Sequence, residues 1–134
     1  MLHDMQRQLI LGFLVALVIA SVSSAARIDV TQAEAGEMLF LKRGDLLVIS
    51  LPSNRTTGYC WRVTSSERGV LKQEGKVLYE RSDGGMVRLG AGGDEVWRFH
   101  ATVAGRTTLT FSYARPWERD VPPVRVVAWS VKVR

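Results

Sequence analysis

From residue 27 onward, apolar and polar positions alternate with a period of two, in short stretches separated by Gly, Pro, Ser and Asp. Two apolar runs, residues 38–41 and 46–51, flank Lys42-Arg43-Gly44-Asp45, whose polar residues and glycine suit a hairpin turn. Tyr59, Trp61 and Val63 alternate with Cys60, Arg62 and Thr64, which sends the aromatic residues to a core and the arginine to water. Over residues 95–104, Trp97, Phe99, Ala101 and Val103 share one face and Arg98, His100 and Thr102 the other. After Gly105-Arg106, Leu109, Phe111 and Tyr113 oppose Thr108, Thr110 and Ser112, and this stretch is expected to close a hairpin with the preceding one. Val127, Trp129, Val131 and Val133 stand in register near the end of the chain, whereas Val124 and Val126 are out of phase, predicting a bulge or burial on both sides. Residues 76–81 (KVLYER) form a shorter strand. Roughly six to eight strands of this kind predict an all-β fold, an immunoglobulin-like antiparallel β-sandwich.

The N-terminus departs from this pattern. Residues 1–8 are polar, residues 9–20 (LILGFLVALVIA) are an unbroken apolar run, and residues 21–26 (SVSSAA) are small. Twelve apolar residues are too few to span a bilayer, which takes about 20. The pattern predicts a secretory signal peptide over residues 1–26, with Ser23 and Ala25, or Ser24 and Ala26, at the two cleavage-determining positions. An uncleaved N-terminal anchor is the alternative, because Asp4 offsets Arg7 in the first segment. The remainder, 27–134, is long enough for one hydrophobic core and too short for two. Export makes the expected location secreted or periplasmic, with no membrane association once the leader is removed, and a monomer is expected.

Composition narrows the chemistry. Of 134 residues, 46% are apolar and 23% charged, a balance that folds. One cysteine excludes an intramolecular disulfide, and with two histidines in all there is no Cys/His set for a structural zinc ion. The net charge of +5 leaves acidic partners open, but the arginines are spread over every strand, which with export argues against nucleic acid. Cys60 and His100 fall opposite the aromatic face of their strands, and neither lies where a thiol is activated, so no catalytic residue is assigned. Asp83, Asp94, Glu95, Glu118 and Asp120 match no calcium loop or acid/base pair and are expected to be solvated; no metal or cofactor is expected. Arg43-Gly44-Asp45 is read as a turn and not as an adhesion tripeptide.

Interest therefore moves to three loops. In Leu51-Pro52-Ser53-Asn54-Arg55-Thr56-Thr57-Gly58, Thr hydroxyls can bond nearby backbone and Gly58 permits a strained φ. Leu89-Gly90-Ala91-Gly92-Gly93 allows close backbone approach, and Ala114-Arg115-Pro116-Trp117-Glu118 sets a tryptophan beside an arginine on a stiffened loop. Alternating strand direction puts all three at one end of a sandwich. A sugar-binding or adhesive module would use the loop tryptophan to stack on a ligand, but has no need of Thr56-Thr57-Gly58.

Asn54-Arg55-Thr56-Thr57-Gly58-Tyr59 with Trp61, Gly90-Ala91-Gly92-Gly93, and Arg115-Pro116-Trp117 occur in this order over residues 30–134, and together they resemble the chagasin family, inhibitors of papain-like cysteine peptidases. The resemblance implies an immunoglobulin-like sandwich whose three loops enter the peptidase cleft as a wedge, with Thr56 and Thr57 nearest the catalytic Cys/His pair. It implies reversible occlusion without covalent chemistry. The pattern breaks at Arg55, where the family has proline, so the unbound loop loses one restraint and gains a guanidinium able to meet an acidic cleft. Asn54-Arg55-Thr56 is also a glycosylation acceptor, and a glycan there would sit on the wedge; a compartment that does not glycosylate it, most simply a bacterial periplasm, is expected.

Overall fold

The computed structural model describes residues 24–81 and 92–134; Asp83, Gly90, Ala91 and most of the leader lie outside them. Nine strands are formed among the described residues: β1 Arg27–Thr31, β2 Met38–Leu41, β3 Leu46–Ser53, β4 Cys60–Ser65, β5 Leu71–Gln73, β6 Leu78–Arg81, β7 Gly93–Ala101, β8 Gly105–Ala114 and β9 Arg125–Val133. They build two facing sheets. One has the order β1-β3-β7-β5, with β6 on the same edge of β7 beyond β5; the other has the order β2-β9-β8-β4.

Inward residues of both sheets make one core, as the alternation predicts, except that Val103, expected on the core face, lies beyond the end of β7 and is exposed. Trp129 and Phe111 are fully buried, with ring centroids 5.7 Å apart and planes at 86°. Trp97 meets Phe111 across the sandwich, also edge to face, at 5.4 Å. On β8 the buried residues are Thr107, Leu109, Phe111 and Tyr113, every second position without exception.

Three expectations about connections are corrected. Residues 38–41 and 46–51 are not a hairpin: β2 pairs with β9 in one sheet and β3 with β1 and β7 in the other. The turn between them crosses from sheet to sheet, with Gly44 at φ +92°, its amide donating to Ala101 O at 2.8 Å, while Arg43 N donates to Arg134 O at 3.0 Å. The segments around Gly105 are likewise strands of opposite sheets, β7 and β8, joined by a crossing that Thr102 N pins to Val70 O at 2.9 Å. Alternation reports which face a residue takes; it carries no information about which sheet the next strand joins. Two ladders, β1 with β3 and β2 with β9, are parallel, a consequence of the crossings that separate each strand from its pairing partner.

The third correction concerns Val124 and Val126. The ladder of β8 with β9 runs unbroken from Gly105↔Val133 to Tyr113↔Arg125, and both valines are exposed, so there is neither a bulge nor two-sided burial.

Asp45, in the first crossing, is 5% exposed. Its carboxylate accepts from Lys42 N at 2.8 Å and Ala26 N at 2.9 Å, which holds its pKa below the usual carboxylate range against the opposing effect of burial. The turn reading of Arg43-Gly44-Asp45 therefore stands, and the aspartate is unavailable to a partner. The solvated reading of the acidic residues fails for Glu95 and Glu118. Glu95 is buried on β7 and accepts from Trp61 N at 3.2 Å, and Glu118 pairs with Arg115 at 3.1 Å.

Candidate functional site

Loop 54–59 joins β3 to β4 and bridges the two sheets. At its base Trp61 Nε1 donates to Pro52 O at 2.9 Å, and Asn54 N donates to the hydroxyl of Tyr113 on β8 at 3.0 Å. Residues Arg55–Thr57 form a single 3₁₀ turn, for which Asn54 is the cap. Asn54 Oδ1 accepts from Thr56 N at 3.1 Å and from Thr56 Oγ1 at 2.6 Å; Thr57 Oγ1 donates to Asn54 O at 2.6 Å. The two threonines are exposed, yet their hydroxyls are spent on shaping the turn. Gly58 closes it in the left-handed region, at φ +80°.

The third loop closes over the first. Pro116 occupies the second position of a tight turn in which Glu118 N donates to Arg115 O at 3.2 Å, the place where its fixed φ fits. Arg115 reaches back with three contacts: Nε donates to Thr57 O at 3.0 Å, Nη1 donates to Glu118 Oε1 at 3.1 Å, and the guanidinium lies 4.5 Å from the centroid of the Tyr59 ring. Tyr59 stacks in turn on Tyr113 at 5.3 Å. Trp117 is 66% exposed, and its ring lies against the α-carbon of Gly58, where any β-carbon would overlap Cη2.

Gly92 and Gly93, the described part of the glycine-rich loop, come to the same end. Gly93 pairs with Ser53 of β3 on one side and Arg81 of β6 on the other. A β-carbon on Gly93 would overlap Glu80 O and fall 2.8 Å from Cζ of Tyr79, so close packing accounts for this glycine. Asn54, Arg55, Thr56, Thr57, Gly58, Tyr59, Gly92, Gly93, Arg115, Pro116 and Trp117 thus share one end of the sandwich. Cys60 and His100 do not meet: they lie on opposite sheets, and His100 Nε2 is 3.1 Å from Glu74. Sequence reasoning missed Tyr79, Tyr113 and Arg125. The Arg125 guanidinium lies 5.4 Å from the Tyr113 ring, and the signal for it is a charged residue in register with the inward-facing Val127 and Trp129.

The family sequence model described as "Chagasin family peptidase inhibitor I42" matches residues 41–131, from the end of β2 to the middle of β9. The chain belongs to the chagasin family. Chagasin of Trypanosoma cruzi is 39% identical over 95 residues, covering 66% of this chain and 81% of that protein. Amoebiasin-2 of Entamoeba histolytica is 29% identical over 119 residues, 89% of this chain and 94% of its own. The crystal structure of a cysteine protease inhibitor from Entamoeba histolytica superposes with a TM-score of 0.72 at 27% identity, over 82% of this chain and 97% of that one. This chagasin-family chain is accordingly a peptidase inhibitor and not an enzyme, and the sugar-binding alternative is set aside.

Proposed function

We propose that the protein occludes the active-site cleft of papain-like cysteine peptidases reversibly, with the turn Arg55–Thr57 entering deepest and the loops around Gly92 and Trp117 gripping the walls. The observation that carries this reading is the bond from Arg115 Nε to Thr57 O: the third loop holds the first by its backbone, leaving both threonines outward at the tip. A wedge shaped before contact loses little conformational entropy on binding, so more of its contact energy appears as affinity. Trp117 supplies the exposed aromatic surface next to that tip, of the kind that dominates interfaces of standard size, about 1,600 Å² in total.

The same proposal places the protein outside the cytoplasm, secreted or periplasmic. Cleavage between Ala25 and Ala26 suits this, since it keeps the Ala26 nitrogen, then the terminal ammonium, on Asp45 and keeps the Ala26 carbonyl that accepts from Leu46 N at 2.8 Å, both of which a later cut would remove. The deciding experiment titrates the purified protein against papain and a cathepsin-L-like enzyme, with a serine peptidase as control. Inhibition of the first two alone is expected; no inhibition of several papain-like enzymes at micromolar protein overturns the reading.

A further inference from the structure

Arg55 opens the wedge turn, at the position where the resemblance to the family leads one to expect proline, and the structure shows where its side chain goes. Its guanidinium carbon lies 4.2 Å from the centroid of the Tyr79 ring, within cation–π range. Tyr79 lies on β6, outside all three loops. Its ring is seated against Gly93, where a β-carbon would fall 2.8 Å from Cζ, and its hydroxyl donates to Ser53 O at 3.3 Å, at the last residue before the wedge loop. The ring is therefore fixed by two strands before Arg55 reaches it.

We propose that Tyr79 is a positioning residue for the inhibitory loop, and that the Arg55–Tyr79 stack restrains the wedge turn in place of the missing proline. Proline limits a loop by fixing its own φ; the stack limits it by tethering the first residue of the turn to a neighbouring strand. Opposite this tether, Arg115 holds the last residue of the turn, Thr57, through its carbonyl. The turn Arg55–Thr57 is thus held at both ends by arginines, one anchored on Tyr79 and one on Tyr59. An Arg55 engaged in this way acts on the free inhibitor, so it alters how often the turn is competent to bind more than how long the complex lasts.

This inference rests on the proposed wedge function, and the test separates the two. Association and dissociation rates with papain are measured for the wild type, Tyr79→Leu, Tyr79→Phe, Arg55→Pro and Arg55→Pro/Tyr79→Leu, at low and high salt, with melting temperatures as a fold check. The order of the Thr56 and Thr57 amides is read by NMR in the unbound proteins. Tyr79→Leu should slow association about two- to fivefold, the value of an exposed cation–π contact, with dissociation unchanged. Tyr79→Phe, which keeps the ring and its seat on Gly93 but loses the bond to Ser53 O, should recover most of the wild-type rate, and Tyr79→Leu should have no effect in the Arg55→Pro background. Because Tyr79 is uncharged, the loss should persist at high salt. A Tyr79→Leu effect that survives in the Arg55→Pro background, or that appears in dissociation, overturns the inference. If the wild type inhibits no papain-like enzyme, the wedge reading fails instead, and the NMR comparison still decides the tether: Thr56 and Thr57 amides as ordered in Tyr79→Leu as in the wild type would refute it.

Discussion

Trp117 rests on Gly58 with no room for a β-carbon between them. Two demands meet at this glycine. The backbone closes the 3₁₀ turn at φ +80°, which an L-residue adopts at a cost of about 1–2 kcal/mol, and the ring of the third loop occupies the space a side chain would need. The glycine of the first motif and the tryptophan of the third are therefore one structural unit, although 59 positions separate them.

Gly58→Ala is expected to injure inhibition more than stability. The backbone strain lowers stability by about 1–2 kcal/mol. The displaced ring additionally moves the third loop off the first. Inhibition constants should rise by more than that strain accounts for, and a double-mutant cycle with Trp117→Ala should be strongly non-additive. Additive losses would show that the two residues act separately.

Trp117→Ala should weaken inhibition by about 2 kcal/mol or more, the range for truncating an exposed aromatic anchor. With 66% of the residue exposed, its melting temperature should change little. Unfolding of this variant would assign Trp117 to the core instead of the interface, so thermal melts accompany the inhibition assays.

Much of this was legible in the sequence, for identifiable reasons. Side-chain direction in a strand has a period of two, so the core residues Trp61, Trp97, Phe99, Leu109, Phe111 and Trp129 follow from alternation alone. The loops followed from their turn residues, but their convergence does not follow from alternating strand direction: β5 and β6 both run antiparallel to β7, and that break in the alternation is what returns the glycine-rich loop to the end where β3 and β8 finish. The sheet crossings at Gly44 and Gly105 were misread as hairpins because polar, glycine-containing connections suit either geometry. Glu95 was misread because its partner, the Trp61 amide, lies 34 positions away on the other sheet. Tyr79 and Tyr113 look like ordinary strand aromatics until the fold sets one beneath Arg55 and the other beneath Tyr59 and Asn54.

Asp45 should make the acid limb of stability steep. Bonds from the Lys42 and Ala26 amides lower its pKa in the folded state, so its contribution is fully present above the unfolded carboxylate value of about 4 and is lost as pH falls through the lowered folded value. Asp45→Ala removes that contribution and leaves two amides unpaired, costing about 1–3 kcal/mol at neutral pH. Urea melts from pH 7 down to pH 2 should show the gap between wild type and variant narrowing as acid is added. A gap independent of pH would rule out the carboxylate as its source.

Cys60 begins β4 directly after Tyr59, half-buried. Occlusion requires no covalent step from it, so Cys60→Ser should inhibit as well as the wild type. Mass spectrometry of protein recovered from the complex should find the inhibitor intact. A peptidase-linked adduct, or a cut within the loop 54–59, would replace occlusion with a substrate-like mechanism.

Arg115 tests whether the wedge depends on charge or on geometry. Its pairing with Glu118 is partly exposed and worth about 0–1 kcal/mol, so Glu118→Gln should change inhibition little. The bond to Thr57 O and the stack on Tyr59 need a planar guanidinium that offers Nε to one side and its face to the other, which an ammonium does not provide. Arg115→Lys, although it keeps the charge, should therefore fall close to Arg115→Ala, with both weakening inhibition about thirtyfold or more, as expected for losing a bond to a charged group together with a cation–π contact, about 2 kcal/mol or more in all. Inhibition constants for the three variants, measured with papain, decide the matter. If Arg115→Lys matches the wild type, Arg115 acts through its charge on the peptidase and not through its hold on the turn.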